Sequence, residues 1–162
     1  LSSRRQRQMC IRDRIDTAPS YSPDGDFITF ESDRSGSQKI YVMNLKTKKI
    51  KRISFGKGKY ATPVWSPRGD LIAFTKLLGG EFYIGVMYTD GKGERVVYKS
   101  YLVEGPTWSP NGRVLSFYSQ TKFSKGKISS PKIKLVDLTG VNLRELITPS
   151  DASDPSWSGL LP

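Results

Sequence analysis

Four carboxylates stand close ahead of prolines that recur along this sequence. Asp16, Glu104, Asp151 and Asp154 each precede such a proline by one to four residues. If the fold brings them together, their charge would attract cationic groups of a partner, or their oxygens would hold a calcium ion in a central channel. The alternative is that each acid caps a turn or pairs with a neighbouring lysine. Which of these holds depends on the elements that carry the four residues.

Several kinds of active site are excluded by the composition of this chain. Its 162 residues include no His and one Cys, so the usual zinc ligands and the commonest general base are absent and no intrachain disulfide can form. No Gly-x-Ser-x-Gly elbow of a serine hydrolase occurs, and no apolar run approaches the ~20 residues that span a bilayer. We therefore expect a binding protein without a cofactor, neither an enzyme nor inserted in a membrane.

The first 14 residues, LSSRRQRQMCIRDR, differ from the rest of the chain. They hold five Arg, one Asp and Cys10, and they show neither strand alternation nor a helical face. The string RQRQMCIRDR resembles a translation of sequencing-adapter DNA, so we interpret residues 1–14 as a non-native segment; a natural, disordered basic arm is the alternative. Part of the formal net charge of +11 lies here and carries no information about partners.

An internal repeat organises the remaining chain, residues 15–162. The segments APSYSPDGD (18–26), TPVWSPRGD (62–70), GPTWSPNGR (105–113) and DPSWSGLLP (154–162) align on Pro-x-Trp/Tyr-Ser. Their serines, Ser22, Ser66, Ser109 and Ser158, are separated by 44, 43 and 49 residues. A period of about 40 to 45 residues built from short strands is typical of a propeller blade.

Each repeat unit reads as four short strands separated by turns. A Ser-Pro-x-Gly turn follows the first strand, and alternating, β-branched and aromatic segments follow it. We predict an all-β fold: a β-propeller fragment of three four-stranded antiparallel blades at about 16–54, 60–100 and 103–147, plus the inner strand of a closing blade at 151–158. Because closed propellers use about four to eight blades, the chain looks like the C-terminal end of a longer ring whose N-terminal half lies outside it.

Large aromatic residues recur at one position of the inner strand. Tyr21, Trp65, Trp108 and Trp157 would wedge between adjacent sheets, because a single four-stranded sheet cannot cover both of its faces. The equivalent hydrophobic positions of the second strands should pack across the same seams; they are Ile28, Phe30, Ile72, Phe74, Leu115 and Phe117.

The amino-acid sequence of the repeats resembles that of the TolB family of the Tol-Pal system. FITFESDRSG, QKIYVMNL, FYIGVMYTDGKGER and the terminal DASDPSWSGLLP carry the resemblance, which covers residues 16–162. It implies a periplasmic, six-bladed propeller preceded by a small α/β domain. It also implies a monomeric scaffold that binds the lipoprotein Pal at one mouth of the channel and links to TolA, supporting outer-membrane integrity and cell division.

The residues just ahead of each repeated proline should line that mouth, since loops on a rigid scaffold carry function. Thr17 sits where the family places a partner-contacting threonine, whereas Ala18 replaces an acidic residue found in some relatives. The predicted partner-binding residues are Asp16, Thr17, Ala18, Tyr60, Thr62, Glu104, Asp151 and Asp154, with Ala61, Val103, Gly105 and Ser153 beside them. No metal site beyond the calcium alternative is predicted.

Two other function classes are compatible with parts of this sequence. The first is the propeller domain of a prolyl-oligopeptidase-type serine hydrolase, whose catalytic domain would have to lie outside this chain. The second is a nucleic-acid binder, suggested by the positive charge alone; the lysines are scattered over outer turns and no basic-aromatic motif accompanies them, so we expect no nucleic-acid partner.

Overall fold

The computed structural model describes residues 15–158, and apart from one turn of 3-10 helix at Ser124–Gly126 the regular elements in that range are β-strands. The strands are β1 (Asp16–Tyr21), β2 (Phe27–Ser32), β3 (Lys39–Asn44), β4 (Ile50–Arg52), β5 (Lys59–Trp65), β6 (Leu71–Leu78), β7 (Glu81–Tyr88), β8 (Arg95–Ser100), β9 (Leu102–Trp108), β10 (Val114–Gln120), β11 (Lys132–Asp137) and β12 (Arg144–Glu145).

The strands form three four-stranded antiparallel sheets in simple meander order. Blade 1 contains β1 to β4, blade 2 contains β5 to β8 and blade 3 contains β9 to β12, each paired in sequence order. This confirms the predicted all-β class and the three four-stranded blades. The interpretation of residues 1–14 as a foreign segment lies outside the described residues.

The Ser-Pro-x-Gly turns close the first hairpin of every blade. In each, the glycine N–H donates to the serine carbonyl, at 2.9 Å for Gly25, 2.9 Å for Gly69 and 2.8 Å for Gly112. Each glycine has a positive φ, which a residue without Cβ adopts at little cost. The serines are buried, and the Ser22 hydroxyl accepts from the Phe27 amide at 2.9 Å. The turns therefore fix where each inner strand ends.

The hydrophobic core lies between the blades. Blade 2 is covered on both faces: Ile72 and Phe74 point toward blade 1, while Leu71 and Ala73 point toward blade 3, so residues 71–75 of β6 are buried in succession. Trp65 and Trp108 are 8% and 6% exposed, as the wedge prediction requires. Tyr21 and Trp157, at the two ends of the described residues, are 65% and 38% exposed.

Polar contacts tie neighbouring blades at the same seams. The indole N–H of Trp108 in blade 3 donates to the Val64 carbonyl in blade 2 at 2.9 Å. The Trp65 amide in blade 2 donates to the Ser20 hydroxyl of blade 1 at 3.0 Å. Farther out, Gly140 has φ +77°, and a Cβ there would meet the Val97 carbonyl oxygen of blade 2 at 2.9 Å. Only glycine therefore permits this close approach of a turn to the preceding blade.

Two predicted strands differ in the structure. Blade 3 is predicted to extend to about residue 147, but its outer strand β12 is only Arg144–Glu145 and Ile147 is 99% exposed. Residues 151–158, predicted as the inner strand of a closing blade, form no strand within the described range. A strand requires a hydrogen-bonded neighbour, and this segment has no sheet partner among the described residues. It nevertheless follows blade 3 closely, because Trp157 lines a cavity together with Trp65 and Trp108.

Exchanging Trp108 for Phe tests the indole bond between blades. Trp108→Phe should lower the free energy of unfolding by roughly 1 kcal/mol more than Trp65→Phe, since it also leaves the partly buried Val64 carbonyl without this donor. Trp65→Phe is the matched control, because its indole N–H donates within its own blade, to Gly69, at 3.3 Å. Urea unfolding measures both, and equal losses would contradict a stabilising role for the cross-blade bond.

The turn between β11 and β12 is organised by one carboxylate. Asp137 accepts from the Thr139 hydroxyl at 2.6 Å, from the Thr139 amide at 3.1 Å and from the Asn142 side-chain amide at 2.6 Å. These donors, the Thr139 hydroxyl first and the Asn142 amide next, lower the pKa of Asp137 to about 2. Hydrogen bonds to the charged form favour ionisation.

This shift predicts a pH-dependent contribution to stability. A carboxyl whose folded-state pKa is depressed stabilises the fold above its unfolded pKa of about 3.9, and the contribution is lost as the pH falls through the folded value. The difference in thermal midpoint between the native protein and Asp137→Asn should stay constant from neutral pH to about 4 and shrink toward about 2. Thr139→Val removes the hydroxyl that lowers the pKa of Asp137 most, so it should move the loss of stability to higher pH. A difference that does not change with pH would refute the assignment.

Candidate functional site

The inner strands of the blades are all interrupted at the same place. The pairing register shifts between Thr17 and Ser20 in β1 and between Ala61 and Val64 in β5. In blade 3 the shift lies between Ser116 and Tyr118 of β10, opposite the segment from Glu104 to Thr107. Thr17, Ala18, Thr62 and Glu104 therefore lie on or beside β-bulges, which re-aim side chains and are common at functional edges of sheets.

The residue before each repeated proline has a left-handed backbone. Its φ is +50° at Ala18, +45° at Thr62, +65° at Gly105 and +49° at Asp154. Proline explains the interruption, because it has no N–H to donate to a ladder and is confined to edges and bulges. Three of the four left-handed residues carry a Cβ, so each is held at a cost of order 1–3 kcal/mol by the surrounding structure. That residue 154 shares this conformation shows that the fourth repeat keeps the local geometry without a strand.

Three of the predicted residues line one cavity of about 310 Å³. Thr62 of blade 2, Glu104 of blade 3 and Asp154 of the closing segment surround it, together with Gly105, Tyr118 and Ser153. Asp16 and Thr17 line a different cavity of about 300 Å³ on the outer face of blade 1, along with Pro19, Ile28, Phe30, Arg34, Met43 and Ile50. We call the inner-strand ends that carry these residues the mouth.

The charges at the mouth are unevenly compensated. Asp16 forms an ion pair with Arg34 at 2.9 Å, whereas none of the ion pairs found between residues 15 and 158 involves Glu104 or Asp154. Glu104 accepts from the Tyr118 hydroxyl at 3.2 Å, and Asp154 accepts from the Ser153 hydroxyl at 2.8 Å. Burial raises the pKa of Tyr118, and the charges of Glu104 and Asp154 raise it further. This part of the mouth therefore favours positively charged groups.

The calcium alternative gains no support from these carboxylates. In the described part of the chain no group of three or more His, Cys, Asp or Glu side chains is arranged to hold a metal ion. Asp151 is exposed and does not line the cavity formed by Thr62, Glu104 and Asp154. Ala18 is partly buried and offers only a methyl group.

Tyr60 does not belong to the mouth, and its prediction as a partner contact is wrong. Its side chain is fully buried between blades 1 and 2, 5.3 Å from the Phe74 ring. The Tyr60 hydroxyl donates to Glu94, which also binds Lys76 at 2.6 Å. Burial raises the pKa of Tyr60. Because neighbouring strand residues point to opposite faces, Ala61 and Tyr60 cannot both face the same side.

One residue of the site was missed from the sequence. Glu31 lies in β2 directly opposite Thr17, and its side chain is 8% exposed. Its carboxylate accepts from the Thr17 hydroxyl at 2.6 Å and from the Thr62 amide of the next blade at 2.8 Å. Strand parity could have indicated it, because Glu31 shares a face with Phe27 and Thr29, which point into the blade interface.

The whole chain matches a family of propellers. The model of the TolB beta propeller domain matches residues 1–161. The Tol-Pal system protein TolB of Gluconobacter oxydans is 48% identical over an alignment that covers 98% of this chain and 45% of that protein. The chain therefore spans less than half the length of this curated relative. Among residues 15–158 no helical segment has the length and hydrophobicity of a membrane span.

Solved structures agree in fold. A putative TolB from Agrobacterium tumefaciens superposes with a TM-score of 0.74 at 24% identity, covering 89% of this chain and 55% of that one. TolB from Acinetobacter baumannii superposes with a TM-score of 0.67 at 26% identity, covering 84% of this chain and 33% of that one. With three meander blades, the repeated Ser-Pro-x-Gly turn and this match over its length, the chain belongs to the TolB β-propeller family.

Proposed function

We propose that this chain is the partner-binding propeller part of a TolB-type scaffold in the periplasm, which binds the peptidoglycan-associated lipoprotein Pal at the mouth and acts without catalysis. The observation that carries the proposal is the 48% identity to a Tol-Pal system protein across 98% of the chain. Through a link to TolA, the scaffold supports outer-membrane integrity and cell division. It acts as a monomer.

The geometry of the mouth supports a binding role. Thr17 and Asp154 are exposed, whereas Thr62 and Glu104 are partly buried. Thr17, Thr62 and Glu104 lie at or beside bulges, and Asp154 has the same left-handed backbone ahead of a proline without belonging to a strand. Side chains on such a rigid base lose little conformational entropy when they bind, which favours recognition of a preformed partner surface. The seams behind them are packed with buried aromatic and aliphatic side chains.

The charge distribution indicates what a partner should offer. Glu104 and Asp154 both line the cavity of about 310 Å³, and neither is neutralised by a neighbouring cation within residues 15–158. A lysine, an arginine or a backbone N–H of the partner would complement these acceptors, whereas a carboxylate would be repelled. The alternative of a serine hydrolase propeller is less well supported, because the family model that matches is TolB, while the likeness to an acylaminoacyl peptidase, at 14% identity, extends to the fold alone.

Neutralising the mouth tests the proposal. The triple variant Thr17→Val, Glu104→Gln and Asp154→Asn should weaken binding of the soluble domain of Pal by about tenfold or more, since hydrogen bonds to charged groups contribute about 1.5–3 kcal/mol each. Isothermal titration calorimetry on the complete gene product that contains this chain measures the affinity.

A matched control carries the same three kinds of change on outer strands and turns. Thr47→Val, Glu145→Gln and Asp90→Asn replace exposed residues of the β3–β4 turn, strand β12 and the β7–β8 turn. The control should bind Pal like the native protein. Native affinity in the mouth variant, or an equal loss in the control, would argue against the mouth as the binding site.

A further inference from the structure

We propose that Glu31 is the positioning residue of the mouth: its buried carboxylate fixes the Thr17 hydroxyl and the Thr62 backbone across two blades, so that Thr17 presents only acceptor lone pairs to a partner. The inference deepens the proposed function and rests on it for the identity of the partner. The placement of the two groups is a separate claim that the geometry alone carries.

The carboxylate joins two blades with both of its oxygens. Oε1 accepts from the Thr17 hydroxyl at 2.6 Å within blade 1, and Oε2 accepts from the Thr62 amide of blade 2 at 2.8 Å. Glu31 is more than nine-tenths buried, and none of the ion pairs within the described range includes it. Burying a carboxylate is unfavourable unless hydrogen bonds compensate for the lost hydration. The two hydrogen bonds therefore fix the positions of the Glu31 carboxylate, the Thr17 hydroxyl and the Thr62 amide relative to one another.

The Thr62 amide needs such an acceptor because of the bulge. The pairing of β5 with β6 shifts between Ala61 and Val64, and the extra residue of a bulge is left out of the ladder. Thr62 also has the left-handed φ of +45°, which a residue with a Cβ adopts only when its surroundings impose it. The Glu31 carboxylate of the neighbouring blade accepts the hydrogen bond that this amide donates.

Toward a partner, the Thr17 hydroxyl can act only as a hydrogen-bond acceptor. A threonine hydroxyl has one proton and two lone pairs, and an ionised carboxylate can only accept. The short contact with Glu31 therefore uses the proton of Thr17, although the residue is exposed. A partner that meets Thr17 must bring an N–H, an O–H or a cationic donor.

The arrangement is confined to one of the two seams between described blades. The positions equivalent to Glu31 are Thr75, opposite Ala61, and Tyr118, opposite Glu104. The Thr75 hydroxyl shares a hydrogen bond with the Thr62 hydroxyl at 2.8 Å, and Tyr118 donates to Glu104. Neither supplies an anion to the next bulge. The repeat alone therefore does not require a carboxylate here, which indicates a specific role at the mouth.

The first measurement needs no partner. In the complete gene product, Glu31→Ala should speed amide hydrogen exchange of a peptide containing Thr62 by about tenfold, because it removes the acceptor, while a peptide containing Gly105 should exchange as before. Glu31→Gln, which keeps the shape and one acceptor oxygen, should change this exchange much less. Unchanged exchange in Glu31→Ala would overturn the proposal.

The second measurement is a double-mutant cycle against the soluble domain of Pal. Glu31→Gln keeps an acceptor for the Thr62 amide but turns its NH₂ toward Thr17, which frees the hydroxyl proton to point outward. We expect Glu31→Gln and Thr17→Val each to weaken binding by about tenfold, and the double variant to weaken it by about tenfold as well, since Glu31 acts through Thr17. Glu145→Gln, an exposed acid on β12, should leave the affinity unchanged.

The outcomes separate the two proposals. If the native protein does not bind Pal, the proposed function fails and the exchange result alone decides the role of Glu31. If Thr17→Val weakens binding while Glu31→Gln leaves it unchanged, or if the two losses multiply to about a hundredfold, Glu31 is not a positioning residue and the proposal is overturned. Thermal midpoints of both single variants verify that they remain folded.

Discussion

Each blade has two apolar faces, and a flat sheet can cover neither of them by itself. In blade 2 the consecutive residues 71–75 are buried because blade 1 covers one face and blade 3 covers the other. Burying apolar surface is the dominant favourable term in folding, so the stacking of blades decides where the other features lie. Trp65 and Trp108 occupy the seams, and Gly140 allows an outer turn to reach the preceding blade.

The packing between blades also offsets the free-energy cost of the strained backbone at the mouth. A left-handed residue before a proline would be unfavourable in an isolated strand, yet Thr62 is held there by Glu31 from one side and by Thr75 from the other. Strained geometry of this kind persists where packing over-determines it, and it is concentrated at functional sites. The cores between the blades therefore supply the rigidity, while the bulges supply side chains aimed away from the sheet.

The repeat made the architecture predictable, because turn chemistry and the spacing of Trp65 and Trp108 are local properties. Features that depend on contacts between repeats were not predictable in this way. Tyr60 was placed at the mouth because its position along the chain is right, but strand parity turns its ring into the core. Glu31 was missed because its second hydrogen bond joins residues 31 positions apart. Residues 151–158 have the backbone of the repeat at Asp154 but no neighbouring strand, and a strand exists only where two chains pair.

The chemical differences between the seams have a consequence for docking. A ring of similar blades is nearly symmetric about its axis, so a partner resting on it could settle in several rotational settings of almost equal energy. At the positions of Glu31, Thr75 and Tyr118 the successive blades present a carboxylate, an aliphatic hydroxyl and a phenol. These groups differ in charge, reach and hydrogen-bonding capacity. The three described blades therefore differ in what holds their inner strands at the mouth, so a partner that contacts this edge would meet a different set of donors and acceptors at each blade.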